Sequence, residues 1–161
     1  MNPMRITLRS GALLMGLLLV TSVVALAAPA NVRDEPAKID FKVLTGTVDA
    51  GGQATLRLQL RPAEGVKINR YPQIKLSLPG HAGLYDSTSA TLGNPTPPPA
   101  DRMDSNYFDK IDAIELEVPI AVDAHSGHHQ IEAQLVYFYC VTDSGYCAPA
   151  RIPLSLSLDV R

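Results

Sequence analysis

The sequence predicts an all-β domain folded as an antiparallel β-sandwich, and three observations lead to that class. In several segments apolar residues alternate with polar ones, which is the pattern of a strand with one buried and one solvent-facing side. Clusters of glycine, proline, asparagine and aspartate separate these segments as turn signals. No helical periodicity follows residue 27. Short strands with this punctuation are typical of a sandwich.

The strand pattern recurs along the chain in regular and less regular forms. The predicted strands cover residues 39–45, 55–61, 73–78, 114–120, 130–140 and 152–158. Pro119 and Pro153 fall inside two of these patterns. Because proline has no N–H to donate to a sheet, we expect both residues at sheet edges or bulges.

The first residues have the features of an export signal. Arg5 and Arg9 precede an apolar run over residues 11–26, and Ala25 and Ala27 form a small-x-small cleavage pattern. We therefore expect a signal peptide and a periplasmic location, in an oxidising compartment where disulfides persist. An uncleaved membrane anchor is the alternative, since the run is close to the minimum length of a membrane span.

The predicted signal peptide sets the domain boundaries. The signal peptide is predicted over residues 1–27, a flexible mature N-terminus over 28–37 and one folded domain over 38–161. The folded part is long enough to bury a core without help from crosslinks. We expect it to be monomeric.

Charge and motifs exclude several classes of function. The chain has 14 basic and 16 acidic residues and a net charge of −2, so it lacks the basic stripe that nucleic-acid binding requires. A Ser-His-Asp arrangement, paired catalytic carboxylates and a glycine-rich phosphate loop are all without a supporting context. We therefore expect no nucleic acid and no small-molecule cofactor.

One segment interrupts the strand pattern between Leu92 and Lys110. It contains a proline-rich stretch over residues 94–99, followed by Tyr107 and Phe108. Long connections without regular structure are uncommon in compact domains, and many are lids or binding loops. Two interpretations remain open: the two aromatic rings cover a functional surface, or they plug one end of the sandwich.

The two cysteines, Cys140 and Cys147, lie close together near the end of the chain. Cys140 ends a predicted strand, and the turn signal at residues 143–145 leads the chain back towards Cys147, so the two thiols can meet across a hairpin. The bond is either a structural strap or a redox-active pair. No Lys, Arg or His adjoins either cysteine in sequence, so nothing local indicates a lowered thiol pKa.

Metal binding is a weaker hypothesis. The two cysteines alone supply half of a tetrahedral zinc site. Three histidines cluster at a predicted turn, and with Met103 or His81 they offer ligands that suit copper: His125, His128 and His129. Exposed histidines at turns are ordinary, so we expect no metal site.

The cysteine segment resembles a known family. Residues 137–140 and 145–149, followed by an alternating strand, are similar to the active-site hairpin of the N-terminal periplasmic domain of the DsbD thiol:disulfide interchange proteins. Residues 64–69 are similar to that domain's early strands, and residues 103–108 occupy the place of its cap loop. The resemblance spans most of residues 38–160.

The resemblance implies an immunoglobulin-like module that passes reducing equivalents between thioredoxin-like proteins. In such a module Cys147 would form the mixed disulfides with partners and Cys140 would resolve them. Tyr107 and Phe108 would shield the pair, and Asp104 would match an acidic residue beside it, where a carboxylate raises a thiol pKa or relays a proton.

The sequence also departs from the family pattern. The interval between the cysteines is one residue longer, and the aromatic residues expected near Lys67 to Asn69 are missing. The electron donor, a thioredoxin-fold or membrane thiol-disulfide protein, is expected in trans. The alternative function is a non-catalytic secreted immunoglobulin-like binding module with a structural disulfide.

Overall fold

The computed structural model describes residues 35–161, which form nine β-strands and one short 3₁₀ segment. The strands are β1 (Ala37–Val43), β2 (Thr47–Val48), β3 (Gln53–Pro62), β4 (Val66–Ile68), β5 (Ile74–Leu78), β6 (Thr88–Leu92), β7 (Ile114–Pro119), β8 (Gly127–Val141) and β9 (Tyr146–Val160). The 3₁₀ segment covers Ala100–Asn106. No described helix is long and apolar enough to cross a membrane.

The strands form two sheets that enclose one core. One sheet has the order β1-β3-β7, and the other has the order β2-β9-β8-β5-β6, with β4 paired to β8 beyond the end of β5. All pairs are antiparallel except the two-residue contact of β2 with β9. The predicted all-β, immunoglobulin-like antiparallel β-sandwich is confirmed.

The alternation of apolar residues decides which side of each strand faces the core. In β3 the even-numbered residues from Ala54 to Leu60 are buried, while the residues between them face outwards. In β8 the core side carries Ile131, Leu135 and Tyr137. Cys140 is therefore on the outer side of β8, together with Val136 and Phe138.

The predicted strands are all present, but three short ones were missed. β2 and β4 are too short to show a period, and the Thr-Ser-Ala-Thr-Leu sequence of β6 has no apolar alternation. β8 and β9 are longer than predicted because they pair with each other along their whole length, from Gly127 and Val160 to Val141 and Tyr146. Partner strands can extend a strand beyond its own apolar pattern.

Both prolines lie where proline costs no ladder hydrogen bond. Pro119 belongs to β7, an edge strand of the three-stranded sheet. Pro153 lies in a part of β9 that pairs only with β8, since β2 reaches no further than Asp159 and Val160. The expected edge positions are confirmed.

The N-terminal predictions fall mainly outside this structure. The predicted signal peptide over 1–27 and residues 28–34 of the predicted flexible segment lie outside the described residues. The first strand begins at Ala37, one residue before the predicted domain boundary.

Candidate functional site

The two cysteines form a disulfide at the turn end of the β8–β9 hairpin. Cys140 and Cys147 are direct cross-strand partners, with an S–S distance of 2.03 Å and Cα atoms 4.1 Å apart. The turn between the strands includes Gly145, whose φ of 64° lies in the left-handed region that glycine adopts without strain. The predicted meeting of the two sulfurs across this hairpin is confirmed.

The two sulfurs differ in their exposure to solvent. Cys140 lies between β4 and β9 within the sheet and is only 7% exposed. Cys147 lies on the free edge of β9 and is exposed. Because the core is on the other side of the sheet, the burial of Cys140 must come from groups that cover the outer face.

The connection between β6 and β7 supplies the main cover. The hydroxyl of Tyr107 donates to Cys140 Sγ over 3.6 Å, and Asn69 Oδ1 lies 3.8 Å from the same sulfur. An isolated β-bridge between Tyr107 and Asn69 joins this connection to the residue that follows β4. We refer to residues 100–108 of this connection as the flap.

The other two predicted flap residues are placed differently. The ring of Phe108 packs against the core. The Arg70 guanidinium lies over this ring, with its Cζ 4.9 Å from the ring centroid. Asp104 is exposed, and its carboxylate makes no hydrogen bond or ion pair within the described part of the chain. Of the residues predicted to cover the pair, Tyr107 is the one that contacts a sulfur in the described structure.

Asn106 anchors the flap from within. It is the one buried polar residue between residues 35 and 161, with 6% exposure. Its side chain accepts from the Tyr71 N–H and donates to the Tyr71 carbonyl, each over 2.9 Å. Its own carbonyl accepts from the Arg70 N–H over 2.5 Å. A short polar side chain thus satisfies two backbone groups of the facing segment.

Further contacts hold the same facing segment. Arg70 Nε donates to the Tyr107 carbonyl over 2.9 Å, and the Phe108 N–H donates to the Ile68 carbonyl over 3.0 Å. On the other side, Gly93 passes so close that a Cβ there would lie 2.2 Å from the Arg70 carbonyl oxygen. Only glycine fits so close to the Arg70 backbone. Gly93 also has a φ of 121°, which residues with a side chain rarely adopt.

A basic side chain lies beside the disulfide, which the sequence did not indicate. Lys67 is the β4 partner of Cys140, so both side chains project from the same face of the sheet. Its Nζ is 5.1 Å from the centroid of the Tyr107 ring. Val66 and Ile68 are buried and Lys67 between them is exposed, so Lys67 points outwards. Its partner Cys140 is far away in the sequence, and no local sequence pattern predicts that pairing.

The histidines are at the opposite end of β8. His128 pairs with Asp159, and His129 contacts the backbone carbonyl of His125. The rings of His81 and His129 are 6.4 Å apart. No group of three potential ligands among His, Cys, Asp and Glu is found in the described residues, and Met103 lies in the flap, away from this cluster.

Comparisons with known proteins found little. No family model matches the chain, and no curated protein matches it. The solved structure of murine CRIg is 13% identical, with a TM-score of 0.37, over 77% of this chain and 98% of that chain.

Proposed function

We propose that this chain is a periplasmic thiol-disulfide exchange module that passes reducing equivalents through the Cys140–Cys147 pair. The observation that carries the proposal is the unequal access to the two sulfurs. Cys147 is exposed on a free edge, whereas Cys140 is buried beneath the Tyr107 hydroxyl. An incoming thiolate would therefore reach Cys147 first, as the resemblance to the DsbD domain implies.

The exchange would proceed in two steps. A donor thiolate attacks Cys147 Sγ, a mixed disulfide forms, and the electron pair of the broken bond leaves on Cys140 Sγ. A second donor thiol then displaces Cys147, which leaves both cysteines reduced. In the onward transfer Cys147 attacks an acceptor disulfide and Cys140 resolves the mixed disulfide.

The surface around the disulfide suits a protein partner. Tyr146, which precedes Cys147 at the start of β9, is 39% exposed, and Met103 on the flap that covers Cys140 is 55% exposed. Large apolar side chains of this kind are enriched at protein interfaces. We propose thioredoxin-fold or membrane thiol-disulfide proteins as partners in trans, with the module itself monomeric.

The reduction potential tests the function. We would equilibrate the protein with glutathione or dithiothreitol buffers and read the reduced fraction by the mass shift on alkylation. An exchange module should titrate at roughly −200 to −270 mV, in the range of thioredoxins and glutaredoxins. A potential below about −300 mV would contradict the proposal, because structural disulfides lie there.

The roles of the two cysteines need a separate test. The probe is a purified thioredoxin that retains only its nucleophilic cysteine, activated as a mixed disulfide with thionitrobenzoate. Cys140→Ser, which leaves Cys147 free, should form the protein–protein disulfide rapidly, and Cys147→Ser should form it slowly or not at all. Equal rates for the two variants would rule out the assigned roles.

A second candidate is a non-catalytic immunoglobulin-like binding module with a structural disulfide. It is favoured by the position of the bond within the continuous β8–β9 ladder, where the bond joins strands that are already paired on both sides of it. Against it, a bond that closes so short a loop removes little chain entropy and therefore adds little stability. This candidate predicts the low potential and no reduction by thioredoxin.

A further inference from the structure

Residues from three separate segments surround Cys140. Lys67 stands opposite Cys140 on β4, Tyr107 reaches the sulfur from the flap, and Cys147 is bonded to it from β9. The Lys67 ammonium lies over the Tyr107 ring at 5.1 Å, which is within the range of a cation–π contact. The buried sulfur therefore has a hydroxyl donor on it and a positive charge beside that donor.

We propose that Lys67 is a positioning residue for the thiolate of Cys140. Its ammonium holds the Tyr107 ring in place, keeps the hydroxyl on the sulfur and adds a positive charge on the face where the thiolate is released. This inference rests on the proposed function, because it concerns the same bond. It goes beyond that function in assigning a role to Lys67, which belongs to the segment, residues 67–69, near which the DsbD pattern leads one to expect aromatic residues.

The electron balance of the first step shows why such a group matters. The incoming thiolate forms a bond to Cys147 Sγ, the Cys140–Cys147 bond breaks, and Cys140 Sγ takes the electron pair as a thiolate. No proton moves in this step. A leaving thiolate departs faster when its charge is stabilised, and a buried one cannot rely on water for that. The Tyr107 O–H then donates to a full negative charge, which strengthens the hydrogen bond.

Other charges near the site do not replace Lys67. Arg70 in the facing segment pairs with Asp109 over 3.7 Å, and its guanidinium lies over Phe108 rather than Tyr107. The acids nearest in sequence to Lys67, Tyr107 and Cys140 are all exposed to solvent: Glu64, Asp109 and Asp143. Asp104 on the flap is exposed as well. Within the described structure none of these acids contacts Tyr107 or either sulfur, whereas the Lys67 ammonium lies over the Tyr107 ring.

The chain contains a matched control for Lys67. Lys75 on β5 stands opposite Val136 of β8, as Lys67 stands opposite Cys140. Both lysines are exposed and project from the same face of the same sheet. Val136 is four residues from Cys140, which is about 13 Å along a strand. Loss of Lys75 therefore removes the same charge at a distance where screening is strong.

The test measures the reduced protein without any partner. Alkylation of Cys140 and Cys147 is followed separately by peptide mass spectrometry over a range of pH. In Lys67→Gln the midpoint of the Cys140 profile should rise by about one unit, while Lys67→Arg should keep the wild-type midpoint. Lys75→Gln should change neither cysteine. Equal Cys140 midpoints in Lys67→Gln and Lys75→Gln would overturn the inference.

Failure of this inference and failure of the proposed function give different results. An unchanged Cys140 midpoint together with rapid reduction by thioredoxin removes the role of Lys67 and leaves the exchange function standing. A raised midpoint in a protein that thioredoxin does not reduce supports the charge assignment and contradicts the exchange function. Thermal melts of each variant show whether a changed alkylation profile reflects lost folding instead of a lost charge. A merely structural role of Lys67 would lower the melting temperature and leave the Cys140 midpoint unchanged.

Discussion

The two ends of the β8–β9 ribbon both carry side chains with reactive chemistry, but they are built differently. At the turn end, Cys140 is covered by groups from β4 and from the flap, and the flap is fixed by a buried asparagine. At the other end, His128 is exposed and contacts one carboxylate, and His129 is half-buried and contacts one backbone carbonyl. The histidine end therefore lacks the enclosure that is found at the disulfide.

This difference shows what distinguishes a candidate site from a cluster of suitable residue types. At the disulfide, groups from separate segments cover the Cys140 sulfur, so that this sulfur is largely shielded from water although Lys67 and Cys147 beside it are exposed. At the histidine end, solvent competes for every contact. Substitutions at the first end should therefore change both stability and sulfur chemistry, and equivalent changes at the second should do little.

The largest effect is expected from the anchor of the flap. Asn106→Ala leaves the Tyr71 N–H without its partner and leaves the Tyr71 carbonyl with only the longer 3.4 Å bond from Asn69 Nδ2, at a cost of about 1–3 kcal/mol in the free energy of unfolding. Urea denaturation measures this cost. The matched control is Ser105→Ala, whose hydroxyl bonds locally to the exposed Arg102 carbonyl and should cost less than about 0.5 kcal/mol. Similar losses in the two variants would show that Asn106 is no anchor.

A smaller effect is expected on the selectivity between the two sulfurs. In the reduced protein a bulky alkylating reagent should modify Cys147 far faster than Cys140. Tyr107→Ala should raise the Cys140 rate by about tenfold, because reactivity follows access to the thiolate. Tyr107→Phe keeps the covering ring and should not raise that rate, and His129→Ala, at the other end of β8, should leave both rates unchanged. A Cys140 rate that does not respond to Tyr107→Ala would mean that the flap is no shield.

The smallest effect concerns the middle of the ribbon. Tyr137 is fully buried, and its hydroxyl has no hydrogen-bond partner in the described structure. Removing an unsatisfied polar group is neutral or favourable, so Tyr137→Phe should stabilise the protein by up to about 1 kcal/mol. Thermal melting at neutral pH measures this gain, and a clear loss of stability would contradict it.

The ionisation of Tyr137 also makes the stability of the protein depend on pH. Burial raises the pKa of Tyr137 to about 12. The unfolded chain therefore loses this proton first, so the contribution of Tyr137 to stability is present below about pH 10 and is lost as the pH rises towards 12. Between about pH 9 and pH 11 the stability of Tyr137→Phe should fall less than that of the wild type. Parallel losses in the two proteins would contradict this assignment.

The sequence predicted the sandwich and the disulfide hairpin because both rest on local patterns. Alternation in strands such as β3 fixes the buried side, and the turn signal at residues 143–145 brings Cys140 back to Cys147. The place of Tyr107 was expected from the family resemblance. The separation of Phe108 from the sulfurs was not expected, and it arises because the ring packs against the core beneath Arg70.

Lys67, Asn69 and Asn106 had no sequence signal. Each acts on a residue that is distant in the chain, and polar residues of these types occur on most protein surfaces. The ends of β8 and β9 were also missed. These ends are strands because the two segments pair with each other there, and their own sequences show no apolar alternation at those positions.

The amino-acid sequence by itself determined which side of each main strand is buried and where the chain reverses, because these depend on a period of two and on a few turn residues. Only the tertiary structure decided which neighbours Cys140 has. Pairing between β4 and β8 and the docking of the flap depend on contacts between distant segments, and these contacts, rather than the identity of the cysteines, set the environment of the two sulfurs.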